Sequence, residues 1–110
     1  MIMPQIKFRG VEIEKICRFS RSMIDELTKI IQCPRDYFTI EHIASTFIQD
    51  EEIIQGYPFV EVVWFDRGQS VQDQTAKAIT KYLQQAGCDQ VDIFFQPLEK
   101  RRYYENGKHF

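Results

Sequence analysis

Apolar and polar positions alternate in the first short segment of the chain and then change to a helical spacing. In residues 4–8, Pro4, Ile6 and Phe8 fall on one side, which predicts a half-buried strand. In residues 13–31, apolar side chains recur every three or four positions. This spacing predicts an amphipathic helix of about twenty residues.

A second strand follows this helix, and the polar residues after it predict a connecting segment. Tyr37–Ile48 is rich in aromatic and β-branched residues, but its alternation slips near His42–Ser45, which predicts a β-bulge. Residues 49–58 contain an acidic run and a Gly-Tyr-Pro turn. We therefore predict a polar connection without regular structure over residues 49–58.

The second half of the chain repeats the order of the first. Residues 59–65 are apolar on almost both faces, which predicts a strand in the centre of a sheet. Ser70–Asp73 resembles a capping box, with Asp in place of the usual Glu or Gln, and predicts the start of a second helix. Gly87 is placed to end that helix, and residues 91–95 predict a fourth strand.

This order of elements predicts an α+β fold, βαββαβ, in a single domain over residues 1–110. The two βαβ units cover residues 4–48 and 59–98, and a C-terminal tail covers residues 99–110. Right-handed crossovers would place both helices on one face of a four-stranded sheet. The other face would expose part of the apolar strand 59–65, which favours association of subunits.

The C-terminal tail carries a strong local turn signal. Asn106-Gly107 separates two short strand-like segments, a pattern that favours a β-hairpin. An isolated hairpin is only marginally stable in water. We therefore expect this hairpin to dock on a sheet edge, either of its own chain or of a neighbour.

The composition is typical of a globular domain without general affinity for nucleic acid or membranes. Of the 110 residues, 44% are hydrophobic, and the formal net charge is −2. This charge gives no general attraction to nucleic acid or to an anionic membrane surface. No apolar run approaches the roughly 20 residues that a membrane helix needs, and the first ten residues lack the apolar core of a signal peptide. We predict a cytoplasmic location.

The cysteines and histidines predict neither a disulfide nor a metal site. The three cysteines form no CxxC pair and are interpreted as reduced thiols. Cys17 lies on the apolar stripe of the first helix, so we predict that it belongs to the core. The two histidines, His42 and His109, have no neighbouring ligand pattern. No glycine-rich phosphate loop is present either, and we expect no cofactor.

Met3-Pro4 carries the most specific chemical hypothesis. If translation or processing leaves Pro4 as the first residue, its ring nitrogen is a free secondary amine. Such an amine can act as a general acid–base when its pKa lies near the working pH. If residues 1–3 stay attached, the nitrogen is an amide and takes up no proton. The structural alternative is that Pro4 merely begins a strand, where proline is tolerated.

Proline directly after methionine, followed by a strand and two βαβ halves, resembles the tautomerase superfamily, which includes macrophage migration inhibitory factor. Trp64–Gly68 and Tyr104–Gly107 look like a bacterial branch of that superfamily without an assigned function. The resemblance covers nearly the whole chain, although ferredoxin-like domains share the βαββαβ order. It implies a homotrimer whose three sheets line a central barrel, with an active site at each subunit boundary.

The resemblance also implies roles for individual residues. Pro4 would move a proton between carbon and oxygen of a small 2-oxo or enol acid, without a cofactor. Antiparallel pairing of the first and third strands would bring Asp66 and Arg67 beside Pro4, where Arg67 would lower the pKa of the amine and bind a substrate carboxylate. Arg9, roughly 17 Å away along its strand, would reach only a neighbouring subunit's site. Arg101 is a further candidate from the tail.

Two classes of function remain open on the sequence. The first is a trimeric tautomerase or isomerase that depends on a free Pro4 amine. The second is a non-catalytic trimeric small-ligand-binding or structural protein on the same scaffold, and the residues before Pro4 favour it. A ferredoxin-like regulatory domain is a structural variant of the second and would more often be dimeric.

Overall fold

Two βαβ units build the main sheet, as the order of elements predicts. The computed structural model describes residues 3–109. In chain order the elements are β1 (Gln5–Arg9), α1 (Ile13–Ile31), β2 (Thr39–Ile43), β3 (Phe47–Gln49), β4 (Glu52–Ile54), β5 (Phe59–Trp64), α2 (Gln69–Gln85), β6 (Asp92–Pro97), β7 (Tyr104–Glu105) and β8 (Lys108–His109). Within the described residues, neither helix is long and apolar enough to cross a bilayer.

The main sheet has the strand order β2-β1-β5-β6, with β1 and β5 in the centre. β1 runs parallel to β2 and antiparallel to β5, and β5 runs parallel to β6. Each parallel pair encloses one helix, which is the connection that parallel neighbours require. This arrangement confirms the α+β fold and the central position of the strand predicted over residues 59–65.

One hydrophobic core joins the two helices to one face of the sheet. The fully buried side chains of α1 and α2 include Met23, Leu27, Ile79 and Leu83. From the sheet, the core receives Ile6, Phe8, Val60, Val62 and Trp64, which alternate with more exposed neighbours along β1 and β5. The strand alternation therefore places both helices on the same face.

The prediction that Cys17 belongs to the core is wrong. Cys17 is exposed, whereas Ile16 and Phe19 on either side of it are buried. The predicted stripe followed a three- to four-residue spacing, but it was too wide. The helix turns the line through Ile16, Phe19 and Met23 toward the sheet, so Cys17 faces away from the core at the flank of α1.

The open face of the sheet is more polar than the sequence suggested. Val60, Val62 and Trp64 all turn toward the helices, so Phe59, Glu61 and Val63 are the β5 side chains on the open face. Glu61 pairs with Lys7 of β1 at 3.7 Å between Oε1 and Nζ. Phe94 of β6 lies beside Glu61 in the register and is 48% exposed.

The long second strand predicted over Tyr37–Ile48 is wrong in its extent. β2 ends at Ile43, and the end of the predicted strand forms β3 instead. β3 pairs with β4, which lies in the predicted polar connection, in a separate two-stranded sheet. Asp50 and Glu51 form the turn with φ values of 51° and 67°. The slip near residues 42–45 therefore marks the end of a strand and not a bulge. Local alternation carries no information on which partner a strand will find.

The start of α2 also differs from the prediction. Gly68, with φ of 91°, precedes the first turn, and no side chain caps this turn through a hydrogen bond. Ser70, predicted to cap the helix, instead accepts a hydrogen bond from the side chain of Gln74. The helix begins one residue before Ser70, which removes the geometry that a capping box requires.

The C-terminal hairpin is confirmed as a local structure. Tyr104 pairs with His109 and Glu105 pairs with Lys108. Asn106 and Gly107 have φ values of 53° and 79°, as a two-residue turn that matches the strand twist requires. Within residues 3–109 the hairpin pairs with no strand of the main sheet.

Candidate active site

Pro4 lies at the end of the sheet where β1 begins and β5 ends. Gln5 is the register partner of Val63, so Pro4 falls opposite Trp64. On its other side, the carbonyl oxygen of Pro4 accepts a hydrogen bond from the backbone N–H of Thr39 at 3.1 Å. Pro4 is therefore held between β5 and the start of β2, and its side chain is less than 2% exposed.

The ring nitrogen of Pro4 is an amide in the 110-residue chain, because Met3 precedes it. Met3 is itself 4% exposed. An amide nitrogen takes up no proton at neutral pH, so Pro4 has no acid–base chemistry in this form. Acid–base chemistry at this nitrogen would require a chain that begins at Pro4.

Arg67 reaches from the turn after β5 to the end of α1. Its Nη1 donates a hydrogen bond to the carbonyl oxygen of Ile31 at 3.2 Å. Ile31 is the last residue of α1, where free carbonyls carry partial negative charge that attracts a cation. The Nε of Arg67 is buried and has no hydrogen-bond partner among the described residues. The guanidinium therefore lies at the same end of the sheet as Pro4, with one donor committed to a helix end.

Cys33 is a further polar side chain at this end of the sheet. Burial raises the pKa of the Cys33 thiol, and the positive charge of Arg67 acts in the opposite direction. A raised pKa keeps the thiol protonated at neutral pH, where it is a poor nucleophile. The sequence placed Cys33 after the first helix but offered no signal that it lies near Arg67.

Asp66 is committed to the turn between β5 and α2. Its Oδ1 accepts a hydrogen bond from the backbone N–H of Gly68 at 2.8 Å. This contact holds the positive φ of Gly68 in place and leads the chain into α2. The side chain is exposed, and its described contact is to its own turn.

Arg9 and Arg101 make no described contact with Pro4 within one chain. Arg9 ends β1, and its guanidinium carbon lies 4.8 Å from the centre of the Phe59 ring. Arg101 lies on the segment after β6, where its Nε pairs with Glu99 at 2.7 Å. The Arg101 side chain is 70% exposed. Arg9 would have to act on another copy of the chain, and Arg101 would have to leave its pair with Glu99.

Aromatic side chains line this end of the sheet. The Trp64 ring lies 4.9 Å from the ring of Phe95, and the Phe65 ring lies 5.4 Å from that of Tyr103. Within residues 3–109, no three His, Cys, Asp or Glu side chains gather in a metal-binding arrangement. The site is therefore an apolar corner that contains Pro4, one arginine and one neutral thiol.

Residues 3–109 match a protein-family model described as a domain of unknown function, DUF1904. The chain belongs to the DUF1904 family. The crystal structure of a DUF1904 domain from Sebaldella termitidis is similar, with 41% identity over 98% of this chain and 100% of that chain and a TM-score of 0.92. No curated protein matches the sequence.

More distant structures identify the fold of this DUF1904 chain. A macrophage migration inhibitory factor homologue from Prochlorococcus marinus is 19% identical over 97% of this chain and 99% of that chain, with a TM-score of 0.73. Pt0534, whose structure was determined after inactivation by 2-oxo-3-pentynoate, is 12% identical over 94% and 93% of the two chains, with a TM-score of 0.77. The DUF1904 chain thus has the fold of tautomerases and macrophage migration inhibitory factors, which confirms the resemblance found in the sequence.

Proposed function

We propose that this DUF1904 protein is a cofactor-independent tautomerase or isomerase of a small 2-oxo or enol acid, with Pro4 as the general acid–base. The position of Pro4 carries the proposal, since it begins β1 in a tautomerase fold and lies between β5 and the start of β2. Pt0534, which shares the fold, is inactivated by 2-oxo-3-pentynoate, and this suggests the substrate class.

The active form would begin at Pro4. The family match starts at Met3, directly before Pro4. Translation from Met3, followed by removal of that methionine, would leave a free ring nitrogen. Trp64 and the other apolar walls would disfavour a charged amine, and the Arg67 guanidinium would repel it. Both effects lower the pKa of an amine toward the range in which it both takes and returns protons.

The reaction would move one proton within the substrate. The neutral Pro4 amine removes a proton from the carbon beside the substrate's carbonyl, and the electron pair of the C–H bond shifts to give an enolate. The protonated amine then returns the proton to oxygen or to another carbon. Arg67 has five N–H donors, of which one is given to Ile31, so others remain for a carboxylate or enolate oxygen.

A homotrimer completes this proposal, because it would place the Pro4 corner at a subunit boundary. Arg9 lies far from Pro4 in its own chain, so it would serve a neighbour's site, and Arg101 would contribute from the tail. The open sheet face, with its Lys7–Glu61 pair, would line the interior of the assembly. The expected location is the cytoplasm.

The decisive experiment combines the mass of the native protein with its activity on phenylpyruvate. We expect an intact mass that begins at Pro4, enolisation of phenylpyruvate, and loss of that rate in Pro4→Ala. Met3→Leu is the matched control, since it removes the internal start, keeps nearly the same side-chain volume and leaves Pro4 as an amide. The proposal fails if the rate is unchanged in both variants.

One observation favours a non-catalytic small-carboxylate-binding protein as the second candidate. Met3 is buried, so the longer chain accommodates the residue before Pro4 within the fold. This candidate predicts a native mass that retains Met3, and thermal stabilisation by small carboxylates without turnover. Retention of the methionine together with the absence of turnover would decide for it.

A further inference from the structure

Cys33 is a half-buried thiol next to the arginine of the candidate site. It lies two residues after Ile31, whose carbonyl oxygen accepts the hydrogen bond from Nη1 of Arg67. The segment that follows Cys33 leads to Thr39, which donates its backbone N–H to the carbonyl oxygen of Pro4 at 3.1 Å. The thiol therefore belongs to the same corner as Pro4 and Arg67, but the proposed reaction gives it no role.

Arg67 keeps hydrogen-bond donors available beside this thiol. The residue is half-buried, and its Nε has no hydrogen-bond partner among the described residues. A buried N–H without an acceptor is unfavourable, so a ligand oxygen that accepts from it gains binding free energy. The planar guanidinium also matches the two oxygens of a carboxylate. Arg67 is therefore an anchor for a carboxylate, with the Cys33 thiol beside it.

The Cys33 thiol carries no charge near neutral pH. Burial raises its pKa, and the positive charge of Arg67 only partly opposes that effect. A neutral thiol does not repel an anion bound at Arg67, and its S–H is a weak hydrogen-bond donor. A protonated thiol reacts slowly with reagents that merely diffuse to it. A reagent that Arg67 holds in place would instead meet the sulfur at a high effective concentration.

We propose that Cys33 is a contact residue for the 2-oxo acid, and that its sulfur lies within reach of the carbon beside the substrate's carbonyl group when Arg67 binds the carboxylate. The inference rests on the substrate class of the proposed function, but it does not require a free amine at Pro4. In a 2-oxo acid, only the carbonyl group separates the carboxylate from that carbon, so a side chain next to the carboxylate anchor is close to both. Cys33 is therefore the group that an electrophilic 2-oxo acid would modify.

Bromopyruvate is such an electrophile and serves as the probe. The Cys33 sulfur forms a bond to the carbon that carries bromine, bromide leaves with the electron pair of the C–Br bond, and the thiol proton passes to water. No oxidant or reductant takes part. The product is a thioether that retains the carboxylate and the carbonyl group, and mass spectrometry of the peptides locates it.

The chain itself provides two thiols for comparison. Cys17 is exposed in a groove that also contains Arg21, so it reports the attraction of an anionic reagent by a nearby arginine. Cys88 is half-buried after α2, as Cys33 is after α1, and no arginine of the described residues lines its cavity. Selective labelling of Cys33 relative to both therefore requires more than exposure, burial or a neighbouring arginine.

The labelling experiment treats the unaltered chain with bromopyruvate and, separately, with the neutral reagent iodoacetamide at about pH 8. We expect iodoacetamide to label the exposed Cys17 first. Bromopyruvate should raise the labelling of Cys33 relative to Cys17 and Cys88 by about tenfold over the ratio found with iodoacetamide. An excess of pyruvate should protect Cys33 alone. Equal ratios with the two reagents, or equal protection of the three thiols, would overturn the inference.

Two lysine substitutions separate the anchor from its charge. Arg67→Lys keeps a cation that can bind the Ile31 carbonyl, so the variant should remain folded by circular dichroism, but it lacks the planar fork. It should lose the preference of bromopyruvate for Cys33, whereas Arg21→Lys, the matched control beside Cys17, should keep it. If Arg67→Lys keeps the preference, Arg67 does not hold the reagent and the inference fails. Should this variant unfold, protection by pyruvate decides the question in the unaltered chain.

The result is independent of catalysis. Selective labelling of Cys33 in a protein that retains Met3 and does not enolise phenylpyruvate would leave this contact in place and remove the proposed activity. An active protein that begins at Pro4 and shows no such selectivity would support the proposed function and contradict the contact.

Discussion

Nη1 of Arg67 donates a hydrogen bond to the carbonyl oxygen of Ile31, and so joins two residues that are 36 positions apart. The contact ties the turn after β5 to the end of α1, beside the start of β1. A cation at this place satisfies a free helix carbonyl and opposes the partial negative charge of the helix end. The residue predicted to bind a substrate therefore also holds together the elements that surround Pro4.

Replacement of Arg67 by Met should lower stability through this contact. The variant leaves the Ile31 carbonyl without its charged donor, and we expect the free energy of unfolding to fall by about 1–2 kcal/mol. Urea denaturation measures this. Arg101→Met is the control, since its exposed pair with Glu99 should contribute less than about 1 kcal/mol. An equal loss of unfolding free energy in the two variants would show that the Arg67 contact contributes no more than an exposed ion pair.

Gly10→Ala should be much more destabilising than Gly107→Ala. Both glycines have similar positive φ values, 78° and 79°. A Cβ on Gly10 would lie 2.0 Å from the carbonyl oxygen of Tyr57, whereas a Cβ on Gly107 would meet open space. The backbone conformation alone costs about 1–2 kcal/mol in each variant. At Gly10 the clash with the Tyr57 carbonyl adds to this backbone cost. Thermal unfolding of the two variants measures the difference, and similar midpoints would contradict the prediction.

Two substitutions of Asp66 distinguish the effect of its charge from the effect of its hydrogen bond. Its Oδ1 accepts from the N–H of Gly68 at 2.8 Å, a contact that Asn can also make. We expect Asp66→Asn to keep nearly full stability and Asp66→Ala to lose about 0.5–1.5 kcal/mol. Phenylpyruvate enolisation should be measured in the same variants. If Asp66→Asn keeps its stability but loses the enolisation rate, the charge of Asp66 acts on the substrate, and a purely structural role for Asp66 is contradicted.

The cluster of Glu26, Lys81 and Tyr82 predicts a pH-dependent contribution to stability. The pKa of Glu26 is lowered, first because Lys81 donates a hydrogen bond to it and further because the Tyr82 hydroxyl donates at 3.0 Å. A lowered carboxyl pKa stabilises the fold above the ordinary value of about 4.3. That contribution is lost as the pH falls through the lowered value. The side chains of Glu26 and Lys81 are 34% and 45% exposed, so the effect is small.

Glu26→Gln should therefore be less stable than the unaltered chain near neutral pH and equal to it in strong acid. Urea unfolding at about pH 7 and about pH 2.5 measures the difference. Glu26→Gln combined with Lys81→Met should add little to the single change, because both remove the same pair. A difference that stays constant across this pH range would mean that the ionised carboxylate is not what stabilises the contact.

Some features of the candidate site could be predicted from the sequence, and others could not. Pro4 was recognisable because proline after methionine has a chemical consequence that is visible in the sequence itself. The antiparallel pairing of the first and third strands was predicted as well, and it places the start of β1 beside the end of β5. Cys33 was not assigned to the site, because its closeness to Arg67 depends on where α1 ends in space. The contact between Arg67 and the Ile31 carbonyl has no sequence pattern at all.

The amino-acid sequence by itself determined the two helices, the four main strands, the placement of both helices on one face of the sheet and the Asn-Gly hairpin. These depend on periodic burial and turn geometry, which act between residues that are close along the chain. The tertiary structure alone decided that β2 stops at Ile43, that residues 47–54 form their own hairpin, and that Cys17 faces outward. Those outcomes depend on which distant surfaces compete for each strand and helix flank. Such competition is settled by packing free energy over the whole chain and leaves no local signature.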